Sequence, residues 1–351
     1  MSAALSPAPL PAATAAEAPI IELRHVTKRF EKKADGAARL VRRLRRSLGP
    51  VPEAPVVRAV DDVNISVRRG EVLGLVGESG CGKSTLGRMV AGIMPPSDGQ
   101  VLFNGRDRAS LEGSDARNAR LRVQMIFQDP YACLNPRLRV SEIVGEAPRV
   151  HGLIPRGGGR DDYLDAQLKR AGIDPAYKRR YPHQFSGGQR QRIGIARALA
   201  VQPEFLVCDE AVAALDVSIQ AQILNLFMDL RRELNLTYLF ISHDLGVVEH
   251  LSDRVAIMYL GRIVEQADTE EVFDRPNHPY TQALLSEVPR LDARGRRFTA
   301  IKGEIPTPLN PPSGCHFHPR CPHAFGRCSL EVPPLKEIAP GHLSACHLND
   351  A

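Results

Sequence analysis

Nowhere in the 351 residues do about 18 apolar residues run together, the minimum for a membrane-spanning helix, so no span is predicted. The first twenty residues contain no Lys or Arg. Without a charged n-region they are not expected to act as a signal peptide. Residues 1–18, rich in Ala and Pro, read instead as a disordered tail, and the protein is expected to be cytoplasmic. There is no Trp, so any bound chromophore would stand out in the absorption spectrum. A spread of positive charge is also lacking. The net charge is +6, but residues 31–46 hold seven Lys or Arg against Glu31 and Asp35, which accounts for five of the six. Such a local run is not the footprint of a nucleic-acid binder. Leu40, Val41, Leu44 and Leu48 fall at helical spacing among those arginines. The segment is therefore either a charged insertion between two strands or a helix that docks on a membrane surface or a partner.

The stretch that is present and most informative is Gly77-Glu78-Ser79-Gly80-Cys81-Gly82-Lys83-Ser84-Thr85. It follows the apolar run Val72-Leu73-Gly74-Leu75-Val76, which reads as a buried strand, and precedes a helical stretch from Leu86 to Ile93. Strand, glycine-rich loop and helix in that order form a phosphate-binding site. Gly80 and Gly82 let successive N–H groups point at an anion. The helix start adds its positive end, Lys83 reaches the β- and γ-phosphates, and the Ser84 hydroxyl can ligate Mg²⁺.

Along the chain, residues 18–30 and 58–67 read as strands, Asn104-Gly105 as a hairpin turn, and 121–128 as a buried strand ending at Gln128. Helical pieces at 140–150 and 162–171 flank a break at Gly157-Gly158-Gly159, which suggests a helical subdomain inserted in an α/β core. Ser186-Gly187-Gly188-Gln189 opens a long helix. Two further buried strands, 205–208 and 237–241, end in Asp209-Glu210 and Ser242-His243. Strands alternating with helices argue a mostly parallel sheet with ligand groups at the strands' carboxyl ends. Asp209 can then hold the Mg²⁺ shell, Glu210 can polarise an attacking water, and His243 can donate to a γ-phosphate.

Phosphate loop, Gln128, Ser186–Gln189, Asp209-Glu210, Leu215-Asp216 and His243 stand in an order that resembles the nucleotide-binding subunit of ABC transporters, across roughly residues 20–270. The resemblance implies an ABC ATPase domain over 19–270: an α/β core with a parallel sheet, an antiparallel β subdomain, and a helical subdomain at about 130–195. It also implies that Gln128 contacts the metal or water, that Phe30 stacks on adenine, and that Ser186–Gln189 of one subunit closes over the ATP of another. One loop and one signature in the chain then call for a second ATPase subunit. Where relatives often carry Ser before Leu215-Asp216, this chain has Ala213, which puts one cross-interface hydrogen bond in doubt.

Four stretches resemble the peptide-importer branch of that family more closely: 59–63, 127–136, 214–220 and His278-Pro279-Tyr280-Thr281. The resemblance is to the F-type ATPase of dipeptide, oligopeptide and, in some relatives, nickel systems. It implies a D-type ATPase partner, two membrane permease subunits, an extracytoplasmic peptide-binding protein, and a peripheral place on the cytoplasmic face of the membrane. A soluble ABC ATPase acting on nucleic acid or ribosomes is the rival reading. Such proteins usually have two cassettes or long arms, and this sequence has neither.

Residues 271–351 read as a C-terminal extension holding Cys315, Cys321, Cys328 and Cys346, with five, six and seventeen residues between them. In a Pro-rich, helix-poor tail, four thiolates suit a [4Fe–4S] cluster or tetrahedral zinc. The spacing lacks the C-x-x-C of zinc ribbons, which favours iron–sulfur, as does the recurrence of this tail pattern in the peptide-importer family. Free structural thiols are the third reading. Cys81, Cys133 and Cys208 are expected to be reduced small residues.

Overall fold

The computed structural model describes residues 18–31, 56–154, 159–286 and 303–350. The expected N-terminal tail, apart from its last residue, lies outside these residues, as do the basic run after Glu31 and most of the triple-glycine break.

Two sheets organise the chain. The first is antiparallel, in the order β2-β1-β4-β5, built from β1 (Ile21–Glu31), β2 (Val56–Val67), β4 (Asp98–Phe103) and β5 (Arg106–Asp107). The β4–β5 turn is Asn104-Gly105, with φ of 50° and 75°. Both are positive, as a tight hairpin with right-handed strand twist requires.

The second sheet has eight strands in the order β11-β12-β10-β9-β3-β8-β7-β6. Its heart is five parallel strands: β6 (Val123–Ile126), β7 (Phe205–Asp209), β8 (Thr237–Ile241), β3 (Val72–Val76) and β9 (Arg254–Tyr259). Every residue of β3, β7 and β8 is buried. This is why these strands are continuous apolar runs, since helices and the other sheet cover both faces. Gly74 makes one such contact possible: a Cβ there would lie 2.5 Å from Val248 and 2.6 Å from the Ser252 hydroxyl.

β6 is shorter than the expected strand, because the polar stretch before it folds as the helix Gly113–Arg122. Its only buried residue is Ala119, so it offers little apolar periodicity. Helices Val140–Val150, Arg160–Arg170 and Gly187–Leu199 pack their apolar sides into one cluster with β7, β8 and the helix Val217–Leu234.

The C-terminal segment joins the main sheet. β10 (Arg262–Asp268) pairs antiparallel with β9, and β12 (His342–Ser344) pairs with β10 through Glu265↔Ser344 and Gln266↔Leu343. β11 (Lys336–Ala339) completes the edge. A third buried cluster joins β9, β10 and the helix Pro279–Ser286 to Phe317, with Cys315 and Cys321 packed against it. Among the described residues, no helix is long and apolar enough to cross a membrane.

Candidate active site

After β3 the chain curls through Gly77–Gly82 and enters the helix Lys83–Val90. The curl is pressed between two other strands. Gly82 has φ of 112°, and a Cβ on it would lie 2.1 Å from the Ala59 carbonyl oxygen of β2. A Cβ on Gly77 would lie equally close, 2.1 Å, to the Met258 carbonyl oxygen of β9. Only glycine meets both demands at Gly82, the positive φ and the close approach. Within the loop the Cys81 amide donates to the Glu78 carbonyl at 3.3 Å. Burial pushes the Cys81 thiol above its usual range, so it sits there as an inert apolar group. Ser79 and Gly80 complete the turn, and Ser84 and Thr85 lie in the first turn of the helix.

Lys83 is buried, and its Nζ donates to the carbonyls of Gly77 at 2.6 Å and Glu78 at 3.0 Å. The ammonium therefore sits inside the concavity that the backbone makes. Next to it, the Ser84 hydroxyl donates to Asp209 Oδ1 at 2.8 Å. Burial raises the Asp209 carboxyl above the ordinary carboxylate range, while the Ser84 hydrogen bond, Arg88 and Lys83 work the other way. A hydroxyl and a carboxylate converging in this way are hard oxygen donors, the ligand type that suits Mg²⁺.

The strand order β6-β7-β8 sets three further groups side by side, because Gln128, Glu210 and His243 each follow the carboxyl end of one of these strands. Gln128 Nε2 donates to Glu210 Oε2 at 2.6 Å. His243 Nδ1 lies 3.4 Å from the other oxygen, Oε1. The Glu210 amide donates to the Ile241 carbonyl at 3.0 Å, which holds the residue in the left-handed region at φ of 47°. A non-glycine residue in that region is uncommon and costs of order 1–3 kcal/mol, and such strain clusters at active sites. The Glu210 side chain is largely buried, whereas that of His243 is exposed. A carboxylate so held can take a proton from a water.

The structure thus brings Lys83, Ser84, Asp209, Glu210, Gln128 and His243 to one edge of the sheet. Phe30 pairs with Val57 in the β1–β2 ladder, two residues from the Ala59 that touches Gly82. Its ring is partly exposed, with Lys28 Nζ 5.5 Å from its centroid. Ser186 to Gln189 stand apart as a capping box at the start of the helix Gly187–Leu199. The Gln189 amide donates to Ser186 Oγ at 3.4 Å, and the Ser186 amide donates to Gln189 Oε1 at 3.1 Å. Gly188 packs close to Ile219, where a Cβ would lie 2.4 Å from the side chain. Asp216 is the N-cap of the helix Val217–Leu234 but makes no capping hydrogen bond with its side chain.

The four C-terminal cysteines share one region. The Cys315 amide donates to the Cys328 carbonyl at 2.8 Å, and Cys321, Cys328 and Cys346 all act on the charge of the Cys315 thiol. Burial foremost pushes Cys315 up to about 11 and raises Cys321 and Cys346 as well. Among the described residues, no group of three or more His, Cys, Asp or Glu is arranged to hold a metal ion. The expected [4Fe–4S] or zinc site on Cys315, Cys321, Cys328 and Cys346 is therefore not supported by this arrangement.

Two residues at the loop escaped sequence reasoning. The Glu78 amide donates to the Tyr280 hydroxyl at 3.0 Å, and the Arg320 guanidinium holds the Glu78 carboxylate. Tyr280 lies in the His278–Thr281 stretch that served only as a family mark, and nothing local distinguishes Arg320. A cavity of about 610 Å³ opens elsewhere, where Asn64, Arg262, Cys315 and Leu335 face one another, and none of the loop residues lines it.

Comparison with known proteins adds to this geometry. Residues 60–213 match the family model described as "ABC transporter", and residues 264–328 match "Oligopeptide/dipeptide transporter, C-terminal region". The chain is 49% identical over 333 residues to the Bacillus subtilis "Oligopeptide transport ATP-binding protein AppF", covering 94% of this chain and 97% of that one. It is 52% identical to "Probable peptide ABC transporter ATP-binding protein y4tS" of Sinorhizobium fredii, covering 84% and 83% of the two chains. Among solved structures, cbiO1 of Clostridium perfringens, described as part of the ABC transporter complex cbiONQ, aligns with a TM-score of 0.59 at 28% identity, over 74% of this chain and 92% of that one. The ATP-binding cassette MJ0796, solved as a dimer in a post-hydrolysis state with ADP and Pi, aligns with a TM-score of 0.57 at 26% identity, over 71% and 98%.

Proposed function

This chain belongs to the ATP-binding subunits of ABC transporters, and from that premise we propose that it hydrolyses ATP to energise the import of di- or oligopeptides. The observation that carries the catalytic half is Glu210, strained at positive φ between Gln128 and His243 and beside the Ser84–Asp209 pair. The observation that carries the substrate half is the likeness to an oligopeptide transport protein along nearly the whole chain, C-terminal region included.

In this reading Lys83 and the inward N–H groups of Gly77–Thr85 bind the β- and γ-phosphates. Phe30 stacks on the adenine. Ser84, Asp209 and Gln128 would hold Mg²⁺, which would supply positive charge against the phosphates. Gln128 and His243 orient Glu210, and Glu210 accepts the proton of the attacking water. His243 also donates to the γ-phosphate. Ser186, Gly187, Gly188 and Gln189, at a helix start where Ser186 and Gln189 are exposed, close over the nucleotide of a second ATPase subunit, with Asp216 near that interface. The second subunit is a D-type ATPase, so that the pair is a heterodimer. Two permease subunits and an extracytoplasmic peptide-binding protein complete the complex, and this chain sits peripherally on the cytoplasmic face. Dimer closure drives the permeases and hydrolysis resets them. A [4Fe–4S] cluster, or zinc in its place, on the four C-terminal thiols has no support among the described residues, and no step of this cycle uses it. Iron and zinc content of protein purified without oxygen measures that directly.

The test is reconstitution of the four membrane-associated subunits in vesicles with the binding protein. Peptide should stimulate both ATP hydrolysis and its own uptake. Stimulation by nickel, another solute or RNA, with none by peptide, would overturn the substrate assignment and leave the ATPase assignment standing.

A further inference from the structure

The phosphate loop carries an acidic side chain. Glu78 follows Gly77 inside a concavity whose backbone and Lys83 are built to attract anions. A free carboxylate there would repel the triphosphate. The structure disposes of it in a specific way. Arg320, 242 residues later, gives Nη1 to Glu78 Oε2 at 2.8 Å and Nη2 to Oε1 at 2.9 Å, a bidentate fork. The Arg320 side chain is 5% exposed and that of Glu78 19%. Nη1 also donates to the Tyr259 hydroxyl at 3.3 Å, and the guanidinium lies 5.8 Å from the Tyr259 ring and 6.0 Å from the Phe317 ring. The Glu78 backbone is held as well, since its amide donates to the Tyr280 hydroxyl at 3.0 Å and its carbonyl accepts from Lys83. Tyr259, Tyr280 and Phe317 pack as a triad with centroids 4.6–5.4 Å apart, and Tyr280 is fully buried. Carboxylate, amide and carbonyl of one loop residue are therefore all tethered, and the first two are held by residues beyond the cassette's parallel strands.

We propose that Arg320 and Tyr280 are positioning residues for ATP binding: they neutralise Glu78, draw it away from the phosphates, and fix the curvature of the loop that receives them. The C-terminal region thereby sets the affinity of the ATP site. The inference rests on ATP binding at this loop and is independent of what is transported.

The experiment measures KM for MgATP and kcat of the assembled transporter, with mant-ATP binding to the purified full-length chain beside it. Arg320→Ala leaves the Glu78 carboxylate uncompensated at the loop. Because Glu78 is partly exposed and can rehydrate, the penalty falls below that of a fully buried broken pair, and KM should rise about tenfold. The kcat should stay within about twofold, since Lys83 and Glu210 are untouched. Removing the charge that Arg320 answers, in Glu78→Gln with Arg320→Ala, should bring KM back to within about threefold of wild type. Arg320→Lys, a point charge without the fork, should fall between wild type and Arg320→Ala. Tyr280→Phe, which removes one oxygen, should raise KM with the same split. These two milder variants carry the test should Arg320→Ala fail to fold. A KM within twofold of wild type in both milder variants, or a double variant no better than Arg320→Ala, overturns the proposal. A purely structural role would instead lower the amount of active protein and the apparent kcat at constant KM.

Discussion

Replacing Glu210 by Gln separates binding from chemistry at this site. Gln has the same shape, so it can keep the left-handed backbone at φ of 47° and the amide bond to Ile241. Its one oxygen can still accept from Gln128 in the place of Glu210 Oε2, which lies 2.6 Å from Gln128 Nε2. The amide cannot accept the proton of an attacking water, and it offers no carboxylate to the His243 imidazole 3.4 Å away. A positioned base contributes about 10²–10⁴ in rate, so kcat should fall by that factor, roughly 2.7–5.5 kcal/mol of barrier. Affinity for ATP should change by less than about threefold, because Lys83, Ser84 and Asp209 are unaltered and the loop is unmoved. Phosphate release by the reconstituted complex gives the first quantity and mant-ATP titration the second. Turnover within about fivefold of wild type would remove Glu210 from the role of base. Loss of binding in parallel with turnover would mean that Glu210 serves to build the pocket.

Gly82→Ala forces a Cβ to within 2.1 Å of the Ala59 carbonyl at φ of 112°. Overpacking and backbone strain together should cost about 2–6 kcal/mol in a urea titration and abolish ATP binding, and a loss below about 0.5 kcal/mol would contradict the geometry. Asp209→Asn should abolish Mg²⁺-dependent hydrolysis while raising Tm at pH 7, by about 2–4 °C for each kcal/mol recovered. Burial raises the native Asp209 carboxyl above its unfolded value of 3.8, so the folded chain prefers it protonated. Its stability contribution is greatest below 3.8 and lost as pH rises through the native value, hence the gain in the variant should shrink in acid. A lower Tm at pH 7 would refute this. His278 is buried, its Nδ1 accepts from the Tyr280 amide at 3.0 Å, and burial lowers its pKa from 6.5 to about 4. Stability should therefore be intact above pH 6.5 and fall by about 1.4 kcal/mol per pH unit towards pH 4. His278→Gln should flatten that slope, measured by denaturant midpoints across the range.

How much of this was legible in the sequence divides along sequence distance. The phosphate loop, β3, β7 and β8 declare themselves because glycine spacing and unbroken apolar runs are local signals. Gln128, Asp209, Glu210 and His243 could be named because each stands just after such a strand, and the strand order then brings them together. The helix Gly113–Arg122 gave no periodic signal, since it buries one alanine and displays its arginines. β11 and β12 are three or four residues long and exist only because β10 offers them an edge. The four C-terminal cysteines could be grouped from spacing alone, but spacing does not say whether sulfurs face one centre, and among the described residues no group of three or more His, Cys, Asp or Glu is arranged to hold a metal ion. Arg320 and Glu78 are 242 positions apart, and no periodicity or motif links them.

That separation also orders events during synthesis. Ribosomes add about 5–20 residues per second, so roughly 12–48 s pass between the making of Glu78 and of Arg320. From the completion of β9 at Tyr259 onward the growing chain holds every strand of the parallel sheet, yet until Arg320 is made its nucleotide loop bears an unanswered negative charge. A polypeptide stalled or clipped before residue 320 would retain Lys83, Asp209 and Glu210 and still lack the counter-ion of Glu78. On the proposed role of Arg320, a chain that has not reached residue 320 carries a loop with the roughly tenfold weaker hold on ATP expected of Arg320→Ala.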